Sequence, residues 1–222
     1  MPTQTAENYL KAIYSLNQEK GLKASTNAIA ERMETKASSV TDMLKKLKEK
    51  GLIHYEKYQA VELTTKGTEV AVSIIRKHRL WEYFLVEKLD FDWDQVHDIA
   101  EELEHIESNE LTNRLDAYLN YPKMDPHGDP IPDENGNFPT RSGTMLNQGE
   151  IDQTYVIIGV KDHSSLFFNH LKNIGIGLGT NFKILDINPF DQSMKISIGE
   201  QNEQLNISKQ VANNLYIKVH EN

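Results

Sequence analysis

The sequence predicts a mainly α-helical chain with small β parts: a winged helix-turn-helix, then a group of helices, then a compact β-barrel. Three observations predict it. Two short helical segments joined by a tight turn are followed by a glycine stop and a short alternating stretch. The hydrophobic period changes from 3.6 to 2 after residues 121–150, which hold five of the seven prolines. Charge is unevenly spread: residues 1–79 carry 14 Lys and Arg against 9 Asp and Glu, residues 80–140 carry 3 against 16, and residues 141–222 carry 7 against 8. The overall net charge of −9 thus hides a basic first third and an acidic middle third, which suggests separate jobs.

The first helix is read over Thr5–Leu16, with Tyr9, Leu10, Ile13, Tyr14 and Leu16 as its apolar positions. Ser25 or Thr26 caps a second, short helix running to Met33. Glu34–Lys36 form a turn, and a third helix spans about Ser38–Lys50, with Val40, Leu44 and Leu47 inward and Gly51 ending it. Leu52–Tyr55 and Ala60–Leu63 read as a small hairpin. In a winged helix-turn-helix the third helix would lead with Ser38, Ser39, Thr41 and Asp42, and Lys45, Lys46 and Lys48 would follow. Short polar groups can reach base edges in a major groove, while lysines neutralise phosphates. These residues, with Thr26 at the start of the preceding helix, are the expected contacts to double-stranded DNA. The competing reading is an ordinary lysine-rich surface helix.

A long helix follows from about Thr68, carrying His78 and Glu82 one turn apart; alone, such a pair is a common surface contact. The segment VHDIAEELEHIES, Val96–Ser108, is more telling. On a helix His97, Glu101, Glu104 and His105 share one face within roughly 100°, beside an apolar stripe of Val96, Ala100 and Leu103. The stripe is either a solvated acidic face or a metal site, because imidazole and carboxylate at i, i+3 and i+4 can ligate a divalent cation. A further helix is read over about Ser108–Leu119. The proline-rich segment after it reads as a long ordered loop or linker; its DPHGDPIP stretch sets Asp125 and His127 two apart, both possible ligands. TYVIIGV, NFKILDI, MKISI and LYIKV then read as strands of a barrel, with one helix around Ser165–Asn173. Gly175–Gly179 (GIGLG) follows a helix and leads into a strand, the wrong order for a dinucleotide fingerprint, so it reads as a turn.

The expected boundaries are 1–67 for DNA binding, 68–140 for the helical middle, 141–150 as a linker and 151–222 for the barrel. The absence of cysteine excludes disulfides, thiolate metal sites and cysteine nucleophiles. No apolar run approaches the roughly 20 residues that cross a bilayer, and the N-terminus lacks the basic and apolar segments of a signal peptide. A cytoplasmic location without a membrane partner is expected. No P-loop, nucleophile elbow or HExxH motif is present, so an enzyme is not expected.

RKHRLWE (76–82), VHDIAEELEH (96–105) and HGDPIP (127–132), set between a winged helix and a barrel, resemble the signature segments of the diphtheria toxin repressor and manganese repressor family. The resemblance covers nearly the whole chain. It implies a homodimeric, metal-activated transcriptional regulator with a winged-helix domain, a helical dimerisation and metal domain, and an SH3-like C-terminal domain of the FeoA type. It also implies that Glu101, Glu104 and His105, with Asn8 from the first helix, form the site that switches DNA binding, and that His78, Glu82 and His97 belong to an ancillary site. One branch of the family completes that second site with a Cys-Pro-His segment and an acid from the SH3-like domain; here the segment reads Asp125-Pro126-His127, and Asp162 is the matching acid. Asn8 stands where members usually have methionine or aspartate, and Glu101 where iron-responsive members have cysteine and manganese-responsive ones glutamate. The positions matching the toxin repressor's own barrel ligands read Ser164 and Phe167, and phenylalanine cannot ligate.

A ligand set of carboxylate, amide and imidazole without sulfur suits Mn²⁺ and, less well, Fe²⁺; Zn²⁺ would often bind at least as tightly in vitro. The resulting expectation is a manganese- or iron-dependent repressor that binds operator DNA as a homodimer and controls metal-uptake genes, with no organic cofactor. Two rivals are a winged-helix regulator that senses a small organic ligand and a metallohydrolase, which would need a general base and a substrate pocket.

Overall fold

The computed structural model describes residues 2–19, 21, 23–56, 59–199 and 202–220. Its elements are α1 (Gln4–Gln18), α2 (Thr26–Arg32), α3 (Ala37–Glu49), β1 (Ile53–His54), β2 (Glu62–Leu63), α4 (Thr65–Leu89), α5 (Val96–Leu103), α6 (Asn109–Tyr118), β3 (Thr144–Met145), β4 (Thr154–Val160), α7 (Ser165–Asn173), β5 (Asn181–Ile187), β6 (Met194–Ile198), β7 (Glu203–Ile207), α8 (Lys209–Ala212) and β8 (Leu215–Val219). Among the described residues no helix is long and apolar enough to cross a membrane. The chain divides into two compact units: Met1–Trp81 with Ala100–Tyr118 and Pro132–Asn137, and Glu82–Ile99 with Leu119–Ile131 and Phe138–Asn222.

The first unit holds the helix-turn-helix. Thr3 caps α1 by accepting the Ala6 amide at 3.3 Å. Ser25, rather than Thr26, caps α2, accepting from Ala28 N at 3.2 Å and leaving Thr26 as the first helical residue. α3 starts at Ala37 without a side-chain cap. Leu10, Ile13, Ile29, Leu44 and Leu47 are fully buried where α1, α2 and α3 pack; each contributes about 1.5–3 kcal/mol. Gly51 (φ 68) ends α3 in the left-handed region. β1 and β2 pair antiparallel, Ile53 with Leu63 and His54 with Glu62. The turn of this wing includes residues 57 and 58, outside those described.

α4 begins three residues earlier than the hydrophobic pattern suggests. Thr64 Oγ accepts the Gly67 amide at 3.1 Å and its hydroxyl donates to Gly51 O at 2.9 Å, which ties the helix start to the end of α3. A Cβ at Gly67 would lie 1.9 Å from the Leu52 carbonyl oxygen, so only glycine permits this close approach. α5 stops at Leu103, and Glu104 and His105 lie in the turn beyond it. Glu104 N still bonds Ala100 O at 2.8 Å, while Ile106 N bonds Leu103 O at 3.2 Å in a tightened last turn.

The second unit is built on a six-stranded antiparallel sheet in the order β3-β8-β4-β5-β6-β7. Leu146, Ile157, Leu171, Ile184, Ile196 and Ile217 fill its core. The four strands read from sequence correspond to β4, β5, β6 and β8. β3, β7 and α8 were not expected: β7 exposes Glu203, Gln204 and Asn206 and fully buries only Ile207, so it shows little hydrophobic alternation. Gly175 and Gly179 have positive φ in the turn between α7 and β5, where Gly179 N donates to Ile157 O at 2.8 Å. The loop of residues 124–130 docks on β4 through a hydrogen bond from Val160 N to His127 O (2.9 Å). The register of β4 shifts between Ile157 and Gly159 at this point.

Candidate metal centres

In the first unit, the turn after α5 meets α1 and α4. Glu104 is completely buried. Its carboxylate accepts from Lys11 Nζ at 2.7 and 2.8 Å and from His78 Nδ1 at 2.6 Å. Lys11 Nζ also donates to Glu101. His105 Nδ1 donates to Glu7 Oε2 at 2.7 Å, and its Nε2 lies 3.8 Å from Glu104 Oε1. A carboxylate cannot donate, so Glu7 fixes the proton on Nδ1 and leaves the Nε2 lone pair on the Glu104 side when the ring is neutral, the way second-shell acids orient metal-bound imidazoles. Asn8 Oδ1 is buried without a hydrogen-bond partner. Asn8, Glu101 and His105 line one cleft of about 450 Å³, with Gln4, Thr5, Met33 and Glu102. An orphaned amide oxygen, two carboxylates and an oriented imidazole form a donor set that fits a divalent cation. Nearby Lys77 is buried; desolvation pushes its pKa down, opposed by the charges of Glu7, Glu104 and Glu107.

The second unit holds another cluster. Ligand atoms of Glu82, Asp125 and His127, all buried, lie within 4.8 Å of one another. His97 Nδ1 adds a contact to Glu82 Oε1 at 3.4 Å. His127 Nε2 donates to the Trp93 carbonyl at 2.7 Å, which turns Nδ1 toward Glu82 Oε2, 3.4 Å away. Asp125 Oδ1 accepts the amides of His127 (2.8 Å) and Asp129 (2.9 Å), so the same residue shapes the loop and joins the cluster. Trp93 and Phe168 flank the His127 ring, with centroids 5.9 and 5.2 Å away.

Burial alone would depress the His127 pKa. The hydrogen bond to Glu82, the charges of Glu82 and Asp125, and the Trp93 carbonyl outweigh it and raise the value to about 9. Without metal the imidazole therefore holds a proton between the acids. Because the folded value lies above the ordinary 6.5, its stabilisation is fully present below pH 6.5 and is lost as pH rises through about 9. Chelated protein should show this loss in thermal unfolding between pH 6.5 and 9, on the order of 3 kcal/mol. His127→Gln should flatten that profile; an unchanged slope would refute the assignment.

The remaining expected residues are placed as follows. The division between the units falls after Trp81 in α4 and after Ile99 in α5. His78 and Glu82 therefore belong to different units, as do His97 and Glu101. Asp162 accepts the Ser164 amide at 2.9 Å in the turn before α7. Ser164 caps α7, accepting from Phe167 N at 3.3 Å, and Phe167 is part of the sheet core. Beside the second cluster, the His163 ring lies 5.2 Å from that of His127, and its Nε2 lies 3.6 Å from Asp129 Oδ2. Burial lowers the His163 pKa from the usual imidazole value, opposed by the charge of Asp129 and helped by that of His127.

On α3, Ser38, Ser39, Asp42, Lys45 and Lys46 are exposed. Thr41 is half-buried and its hydroxyl donates to Ala37 O at 2.9 Å. Lys45 contacts Asp42 at 3.2 Å. Thr26, Thr41 and Lys45 line an open groove that also takes in His54 and Tyr55 of the wing.

Sequence reading missed Glu7, Lys11, Trp93 and His163. Glu7 was within reach of it: an acid adjoining Asn8 on a helix otherwise built around Ala6, Tyr9, Leu10 and Ile13 is buried at 7% exposure, and burial of an acid calls for a partner. Trp93 acts through its carbonyl, which no side-chain pattern announces.

Family models match three stretches of the chain: the N-terminal DNA-binding domain of iron-dependent repressors at residues 1–61, their metal binding and dimerisation domain at 64–133, and the FeoA domain at 144–219. The iron-dependent repressor IdeR of Mycobacterium leprae is 38% identical over 128 residues, 58% of this chain and 55% of that protein. The chain thus spans about half the length of the curated relatives it matches. A solved structure described as a manganese-dependent transcriptional repressor in complex with manganese is 33% identical with a TM-score of 0.85, covering 97% of this chain and all of that one. The manganese regulator SloR is 34% identical with a TM-score of 0.77, covering 99% of this chain and all of that one. With three matching domains in this order and near-complete coverage at this identity, the chain belongs to the diphtheria toxin repressor and manganese repressor family of metal-dependent transcriptional repressors.

Proposed function

We propose that this protein is a manganese-responsive repressor that binds operator DNA as a homodimer when divalent metal is held at Asn8, Glu101, Glu104 and His105. The observation that carries this is the orphaned Asn8 Oδ1, buried on α1 beside Glu101 and His105. α1 packs on the helix-turn-helix core, so a ligand on α1 joins the DNA-reading helices to the turn after α5. A bound divalent cation supplies the positive charge that draws these four donors together. Glu7 holds the His105 ring in orientation, and Glu104 anchors His78. With α1 fixed, α2 and α3 are held in one arrangement and the exposed Ser38, Ser39, Lys45 and Lys46 are presented together. In a dimer, two such surfaces would meet major-groove faces about 34 Å apart.

The second cluster of Glu82, His97, Asp125 and His127 is read as an ancillary metal site. His78, expected there by resemblance, is hydrogen-bonded to Glu104 of the first cluster, and Asp162 takes a turn-capping bond. A homodimer is supported by the exposed Ile106, Leu111 and Tyr118 around α6. Manganese is favoured over iron because Glu101 brings oxygen rather than sulfur, and because the relative matching nearly the whole chain at TM-score 0.85 is a manganese complex. Transporters for the sensed metal are the natural target genes.

The test is a titration of operator fragments, selected from the host genome, at fixed salt with Mn²⁺ or with chelator. Metal should tighten DNA binding about 5- to 150-fold. Mn²⁺ should act at or below the concentration of Fe²⁺ required. Equal affinities with and without metal would overturn the reading, and a response to Zn²⁺ alone would overturn the choice of manganese.

A further inference from the structure

Lys11 lies one helical turn beyond Glu7 and Asn8 on α1 and places its ammonium on the carboxylates proposed to hold the metal. Its three donors meet three acceptors: one oxygen of Glu101 and both oxygens of Glu104, the latter at 2.7 and 2.8 Å. The side chain is 19% exposed and Glu104 is fully buried, so the contact is shielded from solvent. Charge-assisted bonds of this kind are among the stronger polar interactions in proteins. Glu7, Glu101 and Glu104 bring three formal negative charges into one cluster, and Lys11 offsets one of them; a divalent cation on the same oxygens would offset two. Both oxygens of Glu104 are engaged by the ammonium, so a metal ion and Lys11 compete for them.

Resting on the metal reading of this cluster, we infer that Lys11 is a built-in counter-ion that sets the metal concentration at which the protein responds. In the metal-free chain it offsets one of the site's negative charges and tethers α1 to the turn after α5 through position 11. In the metal-loaded chain the tether passes to Asn8, one turn earlier, and the long flexible lysine stem carries its charge toward solvent. Lys11 is a competitor rather than a ligand, and its strength of attachment is subtracted from the metal's affinity. It also lowers the repulsion between Glu101 and Glu104, which share its ammonium.

Mn²⁺ binding to the full-length protein can be measured by calorimetry against a competing chelator, at one pH and salt concentration. Lys11→Met keeps the apolar stem without the charge and should bind Mn²⁺ about 10- to 100-fold more tightly than wild type. Its thermal midpoint in chelator should be lower than that of wild type. Lys11→Arg keeps the charge and should stay within about threefold of the wild-type affinity. If Lys11→Met does not fold without metal, Lys11→Gln, with a polar uncharged stem, takes its place and should show the same tightening. Unchanged or weaker Mn²⁺ affinity in the uncharged variant overturns the inference, as does equal tightening in Lys11→Arg. Failure of wild type itself to bind Mn²⁺ would instead remove the metal reading on which the inference rests.

Discussion

Glu104→Ala should abolish metal-dependent DNA binding and also weaken the fold, the largest combined effect expected of any single change. Glu104 is completely buried, and its two oxygens serve Lys11 and His78 at 2.6–2.8 Å. Removing it takes away a proposed ligand, leaves Lys11 with Glu101 as its acid and deprives His78 of its bond to Glu104. Breaking one side of a buried ion pair costs about 3–5 kcal/mol. Lys11 is 19% exposed and can partly rehydrate, so the lower end of that range is expected. Operator binding in Mn²⁺ should fall to the level of chelated wild type. Urea unfolding of the metal-free variant measures the structural part separately from the ligand part. Wild-type stability would show that the Lys11 and His78 contacts contribute little; a retained metal response would show that the switch lies elsewhere.

Gly128→Ala should be nearly as damaging, for a different reason. Gly128 has φ 80, and an added Cβ would lie 2.1 Å from Ile158 O and 2.5 Å from Gly159 Cα. These are backbone atoms of β4 and cannot swing aside. Strained backbone and displaced strand together should cost about 3 kcal/mol, the upper end of ordinary single substitutions. The loop also carries Asp125 and His127, and its docking bond from Val160 N to His127 O lies beside the glycine. The variant should therefore lose metal at the proposed ancillary site while retaining the proposed site at Glu101, Glu104 and His105. Metal stoichiometry by equilibrium dialysis should fall by one ion per chain, with a lowered urea midpoint. Unchanged stoichiometry would separate the loop from metal binding.

Much of this architecture is legible without coordinates because it depends on short-range patterns. Val40, Leu44 and Leu47 repeat at helical spacing and are all fully buried on α3, and Gly51 ends that helix. TYVIIGV, NFKILDI, MKISI and LYIKV combine β-branched content with turn boundaries and all become strands. β7 escaped because it packs only one side chain fully into the core, leaving no period to detect. The stripe from His97 to His105 reads as one continuous helix in the sequence, but α5 ends at Leu103. Its acids and histidines are also shared between two compact units, a division that depends on contacts far away in sequence.

The set of elements, their order and the chemical types of the donors follow from residue order, because helical and strand periods, glycine stops and residue identity are properties of neighbouring residues. Which donors converge, and what accompanies them, depends on the packing of distant segments. Glu7 orients His105 across 98 positions, and Lys11 reaches Glu104 across 93. The Trp93 carbonyl selects the ring nitrogen that His127 turns to Glu82. Such pairings arise where a buried charge must find a partner to offset lost hydration, and that partner is supplied by whichever element the packing brings near.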